Sequence, residues 1–370
     1  MILLFLLHPM GVFANPETFP DNCISLQGQN DSAFLPIPDK VLKQKKLFLV
    51  GETHGVSSNP IVMLKCIRYL YEYAGMRRLL IEASPGEAFL YNQYLGTGDE
   101  NTVSLCWDFR TKEYQEYWRE VFAFNATKSA GERIKVIGLD FESDIAFARV
   151  IEIMKPKDKV PPLHLQPLLD SLSLILAKKG RPDYLHRNLF LSFVQNYQKD
   201  KSSFEIYFGK YFASLLPILG NKASFQMPKF RDEEMVANFY AQTDWKDTTV
   251  SYFGSLGCQH TYLNDGHSFA CLLNKQNLKD KVLSIPVYYD NCFSYYKRKV
   301  VLIQSGFLQR FLSRRNVETA EIYFRSLTTC NEACFKLDES THETATLGLQ
   351  CQYVLYMKDK RPVTPVSADD

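Results

Sequence analysis

A short loop with two titratable side chains follows an apolar stretch early in the chain. Residues 51–55 read Gly-Glu-Thr-His-Gly, so Glu52 and His54 lie two positions apart between glycines. A carboxylate near an imidazole can fix its tautomer and raise its basicity, which suits a general base acting on water. A capped loop, in which these side chains satisfy backbone groups, is the alternative. We favour a reaction or binding site.

Two further carboxylates end apolar runs in the same way. Glu82 follows Leu-Leu-Ile, and Asp140 follows the apolar stretch 134–139. In open parallel sheets, ligands bind beyond the carboxyl ends of the strands, so these residues and the 51–55 loop are candidates for one shared site. The alternative for Glu82 is a structural carboxylate at the start of the helix predicted after Ser84.

The second half of the chain offers two histidines and an arginine. His260 follows a predicted strand by a short glycine-containing loop, and His267 is its rival, because the sequence does not separate them. Arg231 begins a predicted helix, where a cation opposes the helix dipole, so it is either a partner within the site or an exposed side chain. We predict catalytic roles for Glu52, His54, Glu82 and His260, and substrate binding by Arg231, Asp140 and His267.

The sequence lacks the common motifs for a serine nucleophile and for a zinc site. No Gly-x-Ser-x-Gly elbow occurs, so water or metal-bound water is favoured over a serine. The chain has neither His-Glu-x-x-His nor Cys-x-x-Cys, the usual spacings of zinc ligands. We therefore predict no metal site and no cofactor, with a bound metal ion or haem as the alternative.

The elements around these residues predict an α/β fold. A continuous apolar run at 46–50 is typical of a parallel strand buried on both faces, and a helical pattern at 61–74 leads to a second strand at 78–82. This predicts a mostly parallel central sheet flanked by helices, with an inserted helical subdomain. The predicted parts are a first α/β part at 23–160, the helical insertion at 161–225, a second α/β part at 226–357 and a polar tail at 358–370.

The charge and hydrophobicity of the sequence limit the molecules with which the protein is expected to interact. The 370 residues carry a formal net charge of only +2, and the basic residues as a whole are scattered, so no nucleic-acid partner is predicted. Beyond the N-terminus, no apolar stretch approaches the roughly 20 residues that span a bilayer. We predict a small-molecule substrate, no membrane span and no protein partner.

The N-terminus predicts export. Residues 1–14 are largely apolar and end in Val-x-Ala, which fits a signal-peptidase site, and an N-terminal apolar strand is the alternative. Secretion or periplasmic localisation is therefore expected. Nine cysteines then permit disulfides, and residues close in sequence, Cys330 with Cys334 or a pair among Cys258, Cys271 and Cys292, are the expected partners.

Several of these patterns together resemble the erythromycin esterase family. Residues 47–99 combine an apolar strand, the Gly-Glu-Thr-His-Gly loop, a helix and a strand ending in Glu. The later half is similar through Arg231-Asp-x-x-Met235-x-x-Asn238, a strand before His260, and a closing Pro-Val-Thr-Pro at 362–365. The resemblance implies an α/β fold with a helical subdomain and hydrolysis of a macrolactone-type ester by water activated at His54.

The resemblance also leaves alternatives. The family usually has one more residue between the Glu and the Thr-His pair than the 51–55 loop has. The shorter spacing is more similar to related haem-binding uptake proteins and Tiki-type proteins. The predicted function is thus an esterase-like hydrolase with His54 as the general base, with a haem or iron-chelate binding protein and a Tiki-type metal-dependent peptidase as alternatives.

Overall fold

A seven-stranded sheet forms the centre of the protein. The computed structural model describes residues 23–27, 34–177, 189–221, 231–303, 308–337 and 342–366. The strands are β1 (Leu47–Glu52), β2 (Met76–Ile81), β3 (Lys135–Gly138), β4 (Ser251–Gly257), β5 (Val282–Asp290), β6 (Cys292–Tyr296), β7 (Lys299–Ile303), β8 (Glu332–Lys336) and β9 (Tyr353–Lys358). The predicted signal peptide at 1–14 lies outside the described residues.

The strand order is β3-β2-β4-β1-β5-β9-β8. The pairs from β3 to β9 are parallel, and only β8 runs antiparallel to its neighbour. Strand β1 is buried along its length, with Phe48 and Val50 in the apolar core on one face and Leu47 and Leu49 in that on the other. Burial on both faces explains its continuous apolar sequence. The predicted mostly parallel α/β fold is confirmed.

Helices cover both faces of the sheet. They are α1 (Asp39–Gln44), α2 (Asn59–Ala74), α3 (Pro85–Thr97), α4 (Lys112–Ala126), α5 (Asp144–Met154), α6 (Gln166–Ala177), α7 (Leu189–Lys199), α8 (Lys201–Phe208), α9 (Phe212–Leu219), α10 (Arg231–Gln242), α11 (Phe269–Lys275), α12 (Leu308–Phe311), α13 (Arg314–Ser326) and α14 (His342–Gly348). None of them is both long and apolar enough to cross a membrane, as far as the described residues go.

Local sequence signals account for the helix ends nearest the strand termini. Helix α2 ends at Gly75, whose φ of 65° is the left-handed conformation that glycine adopts at low cost. Helix α3 begins with a capping box, in which Ser84 accepts from the backbone N–H of Glu87 and the Glu87 side chain accepts from Ser84. Since Ser84 makes this cap, the carboxylate of Glu82 is left for contacts elsewhere.

Between β3 and β4 the regular elements of the described residues are helices, α5 to α10. The predicted helical insertion at 161–225 contains α6 to α9. The side chains that these helices bury include several phenylalanines, among them Phe193 and Phe204. Of the segment predicted as a polar tail, residues 358–366 are described, and several of them contact the rest of the fold. Val363 is buried, and isolated bridges join Pro362 to Val56 and Pro365 to Thr111.

Among the described residues, one disulfide joins the first described segment to the loop before β8. Cys23 is bonded to Cys330, 307 positions away, with a Cα–Cα distance of 5.7 Å. The local pairings expected from the sequence are wrong, because Cys258, Cys271, Cys292 and Cys334 are all free. The reason is tertiary: residue 23 forms an antiparallel bridge with Ala333, which brings it beside the strand that follows Cys330.

Candidate active site at the carboxyl edge of the sheet

The carboxyl ends of four neighbouring strands bring the polar residues together. In spatial order, β3 leads to Asp140, β2 to Glu82, β4 to His260 and β1 to Glu52 and His54. Register reinforces this arrangement, since the last residue of β1 lies opposite the last residue of β4. The sheet therefore gathers at one edge side chains that are up to 208 positions apart in sequence.

The two glycines of the loop are required by close packing. A Cβ on Gly51 would lie 2.3 Å from the Thr261 hydroxyl oxygen, so no larger residue fits there without a shift. Gly55 has a φ of 85°, and its carbonyl accepts a hydrogen bond of 2.9 Å from the backbone N–H of Tyr295. The loop is thus held at both ends, which fixes the side chains between them.

His54 lies between two carboxylates. Its Nδ1 is 2.8 Å from Glu52 Oε1, and its Nε2 is 3.5 Å from Glu82 Oε2. The His54 side chain is 54% exposed, whereas those of Glu52 and Glu82 are 5% and 12% exposed. The imidazole is therefore the solvent-facing member of the group, with its orientation set by buried carboxylates.

The same contacts govern the charge of His54. Burial acts to lower its pKa, but the contacts with Glu52 and Glu82 and their negative charges outweigh this and hold the pKa of His54 well above its ordinary value. Glu52 also accepts a hydrogen bond of 3.3 Å from Tyr114. The second carboxylate oxygen of Glu52 has no hydrogen-bond donor among the described residues. The hydrogen bond with His54 is therefore a main stabilising contact of this buried carboxylate.

Glu82 joins the two histidines through one carboxylate. Oε1 accepts from Arg231 Nη2 at 2.6 Å and lies 3.3 Å from His260 Nε2, while Oε2 accepts from the backbone N–H of Gly257 at 2.7 Å. Burial acts to raise the pKa of Glu82, but the contacts with His260 and His54 dominate and hold it well below its ordinary value. Glu82 therefore stays an anion at the centre of the site.

Arg231 supplies the permanent positive charge. Its guanidinium donates from Nε to Asp140 Oδ1 at 3.1 Å, and from Nη2 to both Asp140 Oδ2 and Glu82. Burial acts to lower the pKa of Arg231, whereas these two carboxylates raise it. The cation at the start of α10, unfavourable for the helix dipole, is stabilised by anions at the ends of β2 and β3.

His260 is held by a carboxylate that follows Arg231. Its Nδ1 contacts Asp232 Oδ1, and its Nε2 lies 3.0 Å from Arg231 Nη1. Burial acts to lower the pKa of His260, while the contacts with Asp232 and Glu82 raise it to about 9. In contrast to His54, the His260 side chain is only 4% exposed, so it is suited to hold the network rather than to meet solvent.

The structure separates the two rival histidines. His267 is 87% exposed, and its ion-pair contact is to Glu233 at 3.9 Å rather than to the strand-end carboxylates. The other six predicted residues come together. Asp232 is a member that sequence reasoning missed, although its place beside Arg231 in the Arg-Asp-x-x-Met pattern was a usable signal.

The charge arrangement bears on metal binding. The Arg231 guanidinium lies between Glu82 and Asp140, where a cation shared by these two carboxylates would otherwise sit. Within the described ranges, no group of three or more His, Cys, Asp or Glu side chains is arranged to hold a metal ion. The positive charge that balances these carboxylates is thus provided by the chain's own side chain.

Solved structures of known proteins share this fold. A succinoglycan biosynthesis protein aligns with a TM-score of 0.62 at 14% identity, covering 93% of this chain and 95% of its own. A protein from Bacillus cereus gives 0.57 at 12% identity, with 89% and 92% covered. An erythromycin esterase mutant in its open conformation gives 0.55 at 13% identity, with 90% and 95% covered.

Sequence comparison adds no assignment: no protein-family model matches the chain, and no curated protein matches it. At these low identities the structural likeness concerns the fold alone. The chain has the fold of an erythromycin esterase over nine tenths of its length, which confirms at the level of the fold the resemblance seen in its sequence.

Proposed function

We propose that this protein hydrolyses a carboxylic ester or lactone with water activated by His54. The observation that carries the proposal is that both ring nitrogens of His54 face carboxylates while half of the side chain is open to solvent. No serine or cysteine is engaged as a nucleophile by this imidazole in the described network. Water is therefore the group that His54 is placed to activate.

The proton route follows from the two distances. Glu52 holds Nδ1 at 2.8 Å and so fixes the orientation of the ring. Nε2 is 3.5 Å from Glu82, too far for a strong hydrogen bond, so neutral His54 can accept a proton from water there. The water oxygen attacks the acyl carbon, the proton passes to Nε2 and then to the departing alkoxide, and the products are a carboxylic acid and an alcohol.

The resting charge of the site sets the conditions for this reaction. Because the contacts with Glu52 and Glu82 hold the pKa of His54 well above its ordinary value, the base form of the imidazole increases as the medium becomes more alkaline. Arg231 holds Glu82 and Asp140 in place during this titration. Glu82 then stabilises the imidazolium that forms when His54 takes the proton from water.

The shared fold supports an ester as the bond that is cleaved, and it does not identify the substrate. An erythromycin esterase is one of the proteins that share the fold, and the chemistry of water with a histidine base is compatible with the strand-end site. Haem or iron-chelate binding and metal-dependent peptide cleavage remain alternatives from the sequence. The Arg231 position between two carboxylates favours the metal-free reaction.

The test is turnover of a panel of esters and lactones by the wild-type protein, His54→Ala and a matched control, His267→Ala. We expect hydrolysis by the wild type and the control, and a loss of about 100-fold or more in His54→Ala, since general base catalysis contributes about that much. Equal loss in both variants, or none in His54→Ala, would contradict the proposal. A Soret band on haem titration or a stoichiometric metal, each without ester turnover, would favour the alternatives.

We also propose that the protein is exported, as residues 1–14 predict. The Cys23–Cys330 disulfide supports this, because disulfides persist in oxidising compartments. Mass spectrometry of the N-terminus after expression in a secreting host tests the proposal. A mature protein beginning at Asn15 is the expected result, and an intact N-terminus in the cytosolic fraction would contradict it.

A further inference from the structure

The two-stranded hairpin β6–β7 presents apolar side chains to solvent. Phe293, Tyr296, Val300, Val301 and Leu302 are all between 39% and 58% exposed. Successive residues of a strand point to opposite faces, so three consecutive apolar residues in β7 leave both faces apolar. Exposed apolar surface concentrated on one short element is a mark of an interaction site.

The hairpin also begins the most basic segment of the chain. Residues 292–316 contain six basic side chains and no Asp or Glu, whereas the whole protein has a formal net charge of only +2. The six are Lys297, Arg298, Lys299, Arg310, Arg314 and Arg315. The scatter of basic residues predicted from composition therefore does not hold here. Arg310 is paired with Asp265 at 3.0 Å, and the three cations at 297–299 form the densest group of positive charge, which favours a negatively charged partner.

The hairpin tip places three of these charges together. Tyr296 pairs with Lys299, so the turn consists of Lys297 and Arg298, whose φ values are 48° and 63°. Two-residue turns of this type favour Asn-Gly, because other residues are disfavoured at positive φ. Here the two turn positions are occupied by exposed cations in place of the favoured Asn-Gly, and Lys299 adds a third cation beside them.

The hairpin is fixed to the candidate active site. Ser294 donates a hydrogen bond of 2.5 Å to the carbonyl of His54, and the Tyr295 N–H donates to the carbonyl of Gly55. The buried side of β6 thus supports the 51–55 loop, while the tip and the outer residues of β7 face solvent. A partner bound to the hairpin would therefore lie close to the 51–55 loop.

We propose that the β6–β7 hairpin docks the protein on an anionic lipid surface, with Lys297, Arg298 and Lys299 against the headgroups and the apolar residues of β7 in the interface. Basic residues beside aromatic and aliphatic ones are the composition of interfacial membrane-binding elements. Strand addition by a second chain is disfavoured, since lysine on an edge strand opposes such pairing. This proposal is independent of the proposed hydrolysis.

Vesicle co-sedimentation of the full protein tests the proposal. We expect binding to vesicles that contain phosphatidylglycerol, weak binding to phosphatidylcholine alone, and a decrease as salt is added. Reversal of the tip charges, with Lys297→Glu, Arg298→Glu and Lys299→Glu combined, should weaken binding by at least about two orders of magnitude, because each basic residue contributes about a factor of five.

A control and a spectroscopic readout make the outcome decisive. Lys43, Lys275 and Lys279 are exposed elsewhere, so their combined change to Glu gives the same net charge and should leave binding within a few-fold of the wild type. Val301→Trp should show blue-shifted fluorescence on addition of anionic vesicles. Equal binding by the tip variant and the wild type, no binding at low salt, or a tip-dependent change in oligomeric state without vesicle binding would each overturn the proposal.

Discussion

Arg231 Nη2 lies 2.6 Å from Glu82 Oε1, although the two residues are 149 positions apart in sequence. The contact joins the start of α10 to the end of β2, across the helical region that separates them in the chain. Because the same guanidinium also binds Asp140, one side chain fixes the relative positions of two strand-end carboxylates. The geometry of the candidate site therefore depends on Arg231.

The variants Arg231→Lys and Arg231→Met distinguish the role of the positive charge of Arg231 from that of its planar guanidinium group. Lysine keeps the charge but lacks the planar fork, so it cannot serve Glu82 and Asp140 in the same geometry. We expect kcat/KM to fall by up to about 100-fold in Arg231→Lys with a small change in stability. Arg231→Met should also lower the free energy of unfolding by roughly 2 kcal/mol or more, since it removes the cation that the carboxylates of Glu82 and Asp140 share.

Ester turnover and urea unfolding of both variants provide the measurements. The exposed Arg133, on the loop before β3, gives a matched control as Arg133→Lys and Arg133→Met. Wild-type activity in Arg231→Lys would show that charge alone suffices and would contradict the positioning role.

The pH dependence of ester turnover should report His54. Its pKa is held well above the ordinary value, in part by Glu52, so kcat/KM is expected to rise with pH through that pKa as the base form appears. Glu52→Gln removes a negative charge and must lower the pKa of His54. The rising limb should therefore move to lower pH in the variant. A limb that stays in place, or moves to higher pH, would refute the assignment of His54 as the base.

Glu142 should make stability depend on pH. It is fully buried, with Ser84 Oγ and the Gly86 N–H each donating to it at 2.9 Å, and burial raises its pKa to about 8. A group whose folded pKa is raised stabilises the protein fully below its unfolded pKa, and this contribution is lost as pH rises through the folded value. Stability should thus decline between about pH 5 and pH 8.

Glu142→Gln tests this directly, since its side chain stays neutral throughout. We expect thermal unfolding temperatures of the variant to change less across this pH window than those of the wild type. The exposed Glu116→Gln should behave like the wild type. Parallel pH profiles for wild type and Glu142→Gln would show that another group is responsible.

The Cys23–Cys330 disulfide should stabilise the fold, because it closes a loop of 307 positions in the unfolded chain. Cys23→Ser is expected to lower the free energy of unfolding by about 2–4 kcal/mol under oxidising conditions. Adding a reductant should destabilise the wild type by a similar amount and leave Cys23→Ser unchanged. Sensitivity to reductant that persists in Cys23→Ser would point to a different disulfide.

The sequence alone determined the strand ends and hence most of the site. The apolar runs that lead into the 51–55 loop, Glu82 and Asp140 are local patterns, and the rule that parallel strands share a carboxyl edge converts them into a common location. The cation at the start of α10 was likewise visible, because Arg231 conflicts with the helix dipole. These inferences needed no knowledge of which strands are neighbours.

Only the tertiary structure decided which residues contact one another in the candidate site and which cysteines are bonded. The choice of His260 over His267, the role of Asp232 and the Cys23–Cys330 bond depend on strand order and on the direction of loops after each strand. The short β6–β7 hairpin was hidden because its exposed apolar residues do not follow the pattern of a half-buried strand. Periodicity records which side of an element is buried, while contacts between distant residues arise from how the elements pack.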